Sequence, residues 1–253
     1  MLAGFIATVE QWEKFNNEWD LALEWIRPLK YFKMSEAASL RGQFAGWTGS
    51  DRAKLLRRLI DIVESNVAGG IGSVVPHQHY RDIFGHKICR EMNDPYTHCF
   101  YDIMGQAHRF QARVGDDTEM GFVFDEQRGQ MGHALKIYRF WLDFAPPNLR
   151  NKLSNTHPKP ANDIDVRPLQ AADMLAWRLR RLAEDAYSPT SVANALLPFR
   201  MTIDVNIWTR EKLSEAFALS YLSKISAPNR YWPYELPKKE RKKAEKMLAR
   251  RQP

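Results

Sequence analysis

With 253 residues the chain can bury a sizeable core in one large domain, and its eight Trp, thirteen Phe and nine Tyr give that core an aromatic character. The net charge of +7 belongs to the end of the chain: residues 237–253 carry eight Lys or Arg against two Glu, which leaves 29 bases against 28 acids in the rest. No apolar run reaches the roughly 18 residues of a membrane span, and no basic leader precedes the first one. Cys89 and Cys99 form neither a disulfide framework nor a metal motif, so the expectation is a cytoplasmic protein with no membrane partner.

In chain order, Leu2 to Val9 reads as a buried strand. It runs straight into a helix whose start is marked by Thr8 and Gln11 at capping-box spacing. Val9, Trp12, Phe15, Trp19, Leu23 and Ile26 form the apolar face of that helix, and Pro28 ends it. Tyr31 to Met34 is predicted as a short strand, followed by a loop through Gly42 and Gly46. A second helix begins near Ser50, with Leu55, Leu56, Leu59, Ile60, Ile62 and Val63 as a broad buried face, and Gly69-Gly70 breaks it. Ile71 to Pro76 reads as a strand. Asp94-Pro95 opens a further helix with Tyr96, Phe100, Ile103, Ala107, Phe110 and Val114 as its seam.

Met120 to Glu126 is an apolar strand ending in two acids. A helix is predicted from Met131 to Phe144, closed by Pro146-Pro147, and the polar residues 148–167 read as a loop with one short strand. Next comes a helix from Pro168 to about Ala186. Leu169, Ala172, Ala176, Leu179, Ala183 and Ala186 make a narrow stripe whose small side chains would let the helix approach a sheet closely. Beside the stripe lie Gln170, Asp173 and Trp177. Met201 to Trp208 alternates strictly and fits a half-exposed strand, and Arg210 to Ile225 is predicted as a helix. Strands alternating with helices give an α/β class, with one domain over 1–236 and a basic tail over 237–253.

An acid at position 173, flanked by core residues, is costly unless it has a partner. Asp125-Glu126 and Asp173, on different elements, are the acids that could converge on a hard, oxygen-seeking cation. Two such ions about 3.5–4 Å apart would activate a water and stabilise a leaving oxygen in phosphodiester hydrolysis. Taken singly, Asp125 and Glu126 read equally as a solvated turn, and Asp173 as a partner of Arg178 or Arg180. His77 and His79 would share a strand face near His86, but without a fourth ligand they read as ordinary polar histidines. Gly69-Gly70-Ile71-Gly72 lacks the helix a dinucleotide turn requires, and there is no phosphate loop, nucleophile elbow or zincin motif. In the tail, Lys238, Lys239, Arg241, Lys242 and Lys243 read first as a solvated helical end and second as a nucleic-acid contact.

Leu2-Ala-Gly-Phe-Ile-Ala, Glu10-Gln-Trp-Glu-Lys-Phe with Glu18-Trp19, Phe32-Lys-Met34, Phe124-Asp-Glu126 and Leu169-Gln-Ala-Ala-Asp173 occur in an order that resembles the bacterial and phage family called domain of unknown function 3800. The resemblance covers the chain to about Ala186 and implies a ribonuclease H-like mixed sheet flanked by helices. It implies a nuclease dependent on Mg²⁺ or Mn²⁺, in which Asp125 and Asp173 hold metal. Glu126 is then a ligand or orients water, and Gln170 supports the site from behind. Two departures stand out. The family opens on a strand carrying an acidic motif ahead of the Ala-Gly-Phe strand, and here Met1 stands where that strand should have ended. Lys33 replaces a more usual His. The first departure reads as a start placed too late or as a degraded, inactive copy, with the first favoured because the apolar seams are intact. The alternatives are a non-catalytic nucleic-acid or protein-binding module using the basic tail, and a structural remnant.

Overall fold

The computed structural model describes residues 1–84, 95–126, 158–184 and 198–216, together with 132, 135, 138 and 142. The architecture is mixed α/β. Strand β1 (Leu2–Ile6) leads into helix α1 (Val9–Glu24), whose capping box forms as the sequence predicts: Gln11 N–H donates to Thr8 Oγ1 at 3.3 Å, and Thr8 N–H to Gln11 Oε1 at 2.9 Å. Phe15, Trp19, Ala22 and Leu23 of α1 are buried, whereas Val9 is exposed. The helix ends at Glu24, short of Pro28.

The predicted strand at Tyr31 to Met34 does not form. Lys33 is extended, but Met34 already opens a short helix α2 (Met34–Ser39), and a 3₁₀ turn follows at Gly42–Phe44. Helix α3 (Gly49–Asn66) starts on Thr48, whose hydroxyl accepts from Asp51 N–H, and buries all six predicted face residues. Together α1, α2, α3 and one face of the helix at Arg167–Glu184 enclose the aromatic core of Phe15, Trp19, Phe32, Phe44 and Trp177.

Helix α3 ends at Asn66, ahead of Gly69-Gly70, and the pair itself begins strand β2 (Gly69–Val74), two residues before the expected start at Ile71. The glycines are used for close approach: a Cβ on Gly69 would meet the Phe110 ring at 2.5 Å, and one on Gly72 would meet Leu179 Cδ1 at 2.5 Å. Beyond β2, His77 and His79 lie on helix α4 (His77–Ile83), not on a strand, and His86 is outside the described residues. Helix α5 (Pro95–Val114) buries Tyr96, Phe100, Ile103 and Ala107 of its predicted seam, while Val114 is exposed.

Strand β3 (Val123–Asp125) pairs in parallel with β4 (Lys159–Ala161), and helix α6 (Arg167–Glu184) follows. Of the predicted helix at Met131 to Phe144, residues 132, 135, 138 and 142 are described, and all four are helical. Strand β5 (Ile203–Ile207) completes a three-stranded sheet of order β1-β2-β5, β1 antiparallel and β5 parallel to β2. It is half-exposed, as the alternation predicts, with Ile203 against the core and its polar side chains bonded towards α5. Asn206 donates to Asp102 of α5 and Asp204 pairs with Arg113, while Ile207 is 51% exposed. Residues 210–216 are helical. No helix among the described residues is long and apolar enough to cross a membrane.

The sheet is covered by α5 on one face and by Leu175 and Leu179 of α6 on the other. Contacts along α5 orient β1 and β3. Cys99 donates to Ser73 O, Ser73 is opposite Leu2, and Gly69, opposite Ile6, lies under Phe110. The Gln111 amide reaches Thr118 O, and the Phe124 ring lies tilted with its centroid 4.8 Å from that of Phe100. β1 therefore advances from the start of α5 to its end, and β3 advances the opposite way.

Candidate functional site

Three acids from three elements lie within electrostatic reach of one another. Asp125 ends β3, Asp163 stands in the turn between β4 and α6, and Asp173 lies in the second turn of α6. Lys33, just ahead of α2, is among them: its Nζ is 3.2 Å from Asp163 Oδ2, and its charge acts on Asp125 and Asp173 as well.

The scaffold behind this group is Gln170, which is wholly buried. Its Oε1 accepts from Trp19 Nε1–H at 2.9 Å and from Phe32 N–H at 3.0 Å, and its Nε2 donates to Asp163 O at 2.8 Å. One side chain thus ties α1, the strand-like approach to α2 and the Asp163 turn to α6. The turn that Gln170 holds carries Asp163, an acid that the sequence reading passed over.

Asp173 is half-buried. Its Oδ2 accepts the N–H of Met34, the first residue of α2, at 2.8 Å. Burial pushes its pKa above the ordinary value, and the charge of Asp163 adds to this; the Met34 N–H, Lys33 and Arg180 act the other way. The partner of Asp173 is therefore a backbone N–H, with Arg180 a minor influence. Burial and the charge of Asp163 also raise Asp125, against the pull of Lys33. Burial lowers the Lys33 ammonium, but its contact with Asp163 and the charges of Asp173 and Asp125 outweigh this and leave it raised. Glu126 continues the ladder to β4 through its N–H on Ala161 O, and strand alternation turns its side chain to the face opposite Asp125. Asp125 and Asp173 are brought together; Glu126 is not.

The carboxylates are hard oxygen donors, the type Mg²⁺ or Mn²⁺ takes. Among the described residues, however, no three acids, histidines or cysteines are grouped closely enough to hold a metal ion. The donor chemistry fits a divalent cation and the donor count does not: the described acids supply part of a coordination sphere, with Lys33 beside them.

The acids stand at one end of a groove of about 1,320 Å³ between β1 and β3, lined by all of β1, by Met120 to Asp125, and by Leu169, Ala172 and Ala176 of α6. The alanine stripe predicted to meet a sheet thus faces this groove at two of its positions. Lys238, Lys239, Arg241, Lys242 and Lys243 lie outside the described residues. Asp163 and Lys33 are the site residues that sequence reasoning missed. The departure from His at position 33 was the one visible signal, and nothing distinguished Asp163 from its neighbours Asn162 and Asp165. No family model matches the chain, and no curated protein or solved structure matches it either.

Proposed function

We propose that the chain is a metal-dependent nuclease of ribonuclease H-like fold that hydrolyses phosphodiester bonds at the acid end of the groove, with Mg²⁺ or Mn²⁺ as cofactor and nucleic acid as substrate. The observation that carries this reading is the approach of Asp125 and Asp173, from a strand end and a helix, to each other and to Asp163, where burial first and the neighbouring acids second raise both carboxyls. Carboxylates gathered in this way attract cations. Lys33 gives an approaching phosphodiester the positive charge that three carboxylates would otherwise deny it. Glu126 takes a supporting part, turned away from the main acid pair.

The test is cleavage of single- and double-stranded DNA and RNA oligonucleotides with Mn²⁺ or Mg²⁺ by the parent and by Asp173→Asn. The expected outcome is loss of cleavage by about a hundredfold or more, with unchanged circular dichroism. A variant that cuts as fast as the parent removes Asp173 from the reaction. The surplus of eight bases over two acids in residues 237–253 supports a second reading, a non-catalytic binding module. It requires salt-sensitive nucleic-acid binding that disappears when the residues after Pro237 are deleted and is indifferent to Asp173→Asn.

A further inference from the structure

The fold fixes Lys33 from both sides. Its backbone is extended, and its two neighbours are bonded to α6: Phe32 N–H donates to Gln170 Oε1 at 3.0 Å, and Met34 N–H to Asp173 Oδ2 at 2.8 Å. An extended residue turns its side chain away from those beside it. Phe32 and Met34 are wholly buried, so Lys33 is directed out of the core and towards the acids. Asp163 is held by the same Gln170 amide, whose Nε2 donates to Asp163 O at 2.8 Å. The Asp163 N–H donates to the Asp125 carboxylate, and the Asp163 carboxylate receives Lys33 Nζ at 3.2 Å.

An ion pair between two mobile surface side chains contributes little. Here one buried amide sets the backbones of both partners, and the Asp163 side chain is only 15% exposed. Burial disfavours an ammonium at this place, and Asp163, Asp173 and Asp125 hold it there against that cost. Among the described residues the acids are too few at any one point to surround a metal ion, whereas an ammonium needs only hydrogen-bond acceptors. One ammonium against three carboxylates still leaves negative charge that draws cations. A divalent ion reaches the Asp163 carboxylate by taking the place of Nζ.

From the shared support of Lys33 and Asp163, and from the poor fit of the acids to a metal ion, we propose that Lys33 is the built-in counter-ion of these acids: its ammonium stands where a divalent cation would otherwise bind, and any such ion binds in competition with it. The lysine therefore sets the affinity of this place for divalent ions and keeps it low. This goes beyond the nuclease reading and does not depend on it.

The probe is Mn²⁺ alone, titrated into the full chain and followed by the electron paramagnetic resonance of the free ion, with circular dichroism as the check on folding. Lys33→Met, which keeps the stem and removes the charge, should bind Mn²⁺ more tightly than the parent by about tenfold or more. Lys33→Arg, which keeps a charge, should stay within about threefold of the parent. Adding Asp163→Asn to Lys33→Met should remove the gain, and Lys33→Gln replaces Lys33→Met should that variant fail to fold. A parent that shows no binding beside a Lys33→Met variant that binds supports the proposal. Equal or weaker binding by Lys33→Met overturns it, as does absence of binding by both. So does a gain shared by Lys33→Arg or kept when Asp163→Asn is added. Cleavage plays no part in the measurement, so a chain that binds as expected and cuts no nucleic acid overturns the nuclease reading alone.

Discussion

Gln170 and Asp173 lie three residues apart on α6 and share a helix face, yet one closes the structure and the other leaves it open. Gln170 faces the aromatic core with no exposed surface, and both ends of its amide are bonded within the fold. Asp173 faces the groove with one backbone N–H, a neighbouring acid and a raised pKa. The Gln170 amide is matched on both sides within the fold; the Asp173 carboxylate, one helical turn on, is held by a single backbone N–H beside another acid. A carboxylate kept in so costly a place is a candidate for binding there.

The strongest way to break this contrast is to open the closed side. Gln170→Leu strands the Trp19 indole N–H, the Phe32 N–H and the Asp163 carbonyl in a dry environment, each at about 1–3 kcal/mol. A loss on the order of 4 kcal/mol in urea unfolding is expected, with Gln170→Glu less damaging because it keeps the acceptor. A loss below about 1 kcal/mol would mean that the aromatic cluster alone holds α6 in place.

A titratable group inside closed packing sharpens the contrast next. His98 lies within the rings of Tyr80, Phe84 and Trp208, its Nε2 without a hydrogen-bond partner, and burial pushes its pKa down to about 4 from an ordinary 6.5, against the pull of Asp102. The unfolded chain therefore binds a proton that the folded chain refuses between those values. Stability is fully present above about pH 6.5 and falls as pH drops towards 4, by about 3 kcal/mol in all. His98→Phe should flatten that slope. A parent whose stability is constant over the window would show that His98 takes up its proton in the folded state.

These contrasts were only partly legible in the sequence. Helices α1 and α3 were readable because capping and apolar spacing are local: Thr8, Gln11 and the Leu55 to Val63 face announce themselves. Asp173 was readable as an acid flanked by core residues, and Asp125 as one of two acids at a strand end. That the glycine pair at 69 and 70 belongs to the strand was hidden, because the Phe110 and Ile203 side chains that fill the space above it lie far along the chain. The polar partner of β5 was hidden in the same way, since it is Asp102, a hundred residues away. His77 and His79 were placed on a strand although Pro76 stands at a helix start. Asp163 became a site residue only because Gln170 fixes its turn, a contact no local pattern encodes.

The smallest effect expected is the most discriminating, because it separates a structural Asp173 from a functional one. Asp173→Asn keeps an acceptor for the Met34 N–H and removes a charge that burial penalises. A carboxyl whose folded pKa is raised costs stability as pH climbs from its ordinary value of 3.8 through the folded value, and the cost is constant above that. The Asn variant should therefore match the parent in acid and be equal or more stable at pH 7, by less than about 1 kcal/mol after allowance for solvent screening. Urea unfolding of both proteins at pH 4 and pH 7 measures this. If the variant is instead less stable at pH 7, the carboxylate is needed to hold the start of α2, and any loss of cleavage would follow from a disturbed Lys33 loop. If it is more stable and inactive, the protein keeps an acid at position 173 against its own stability, which is the signature of a residue retained for what it binds.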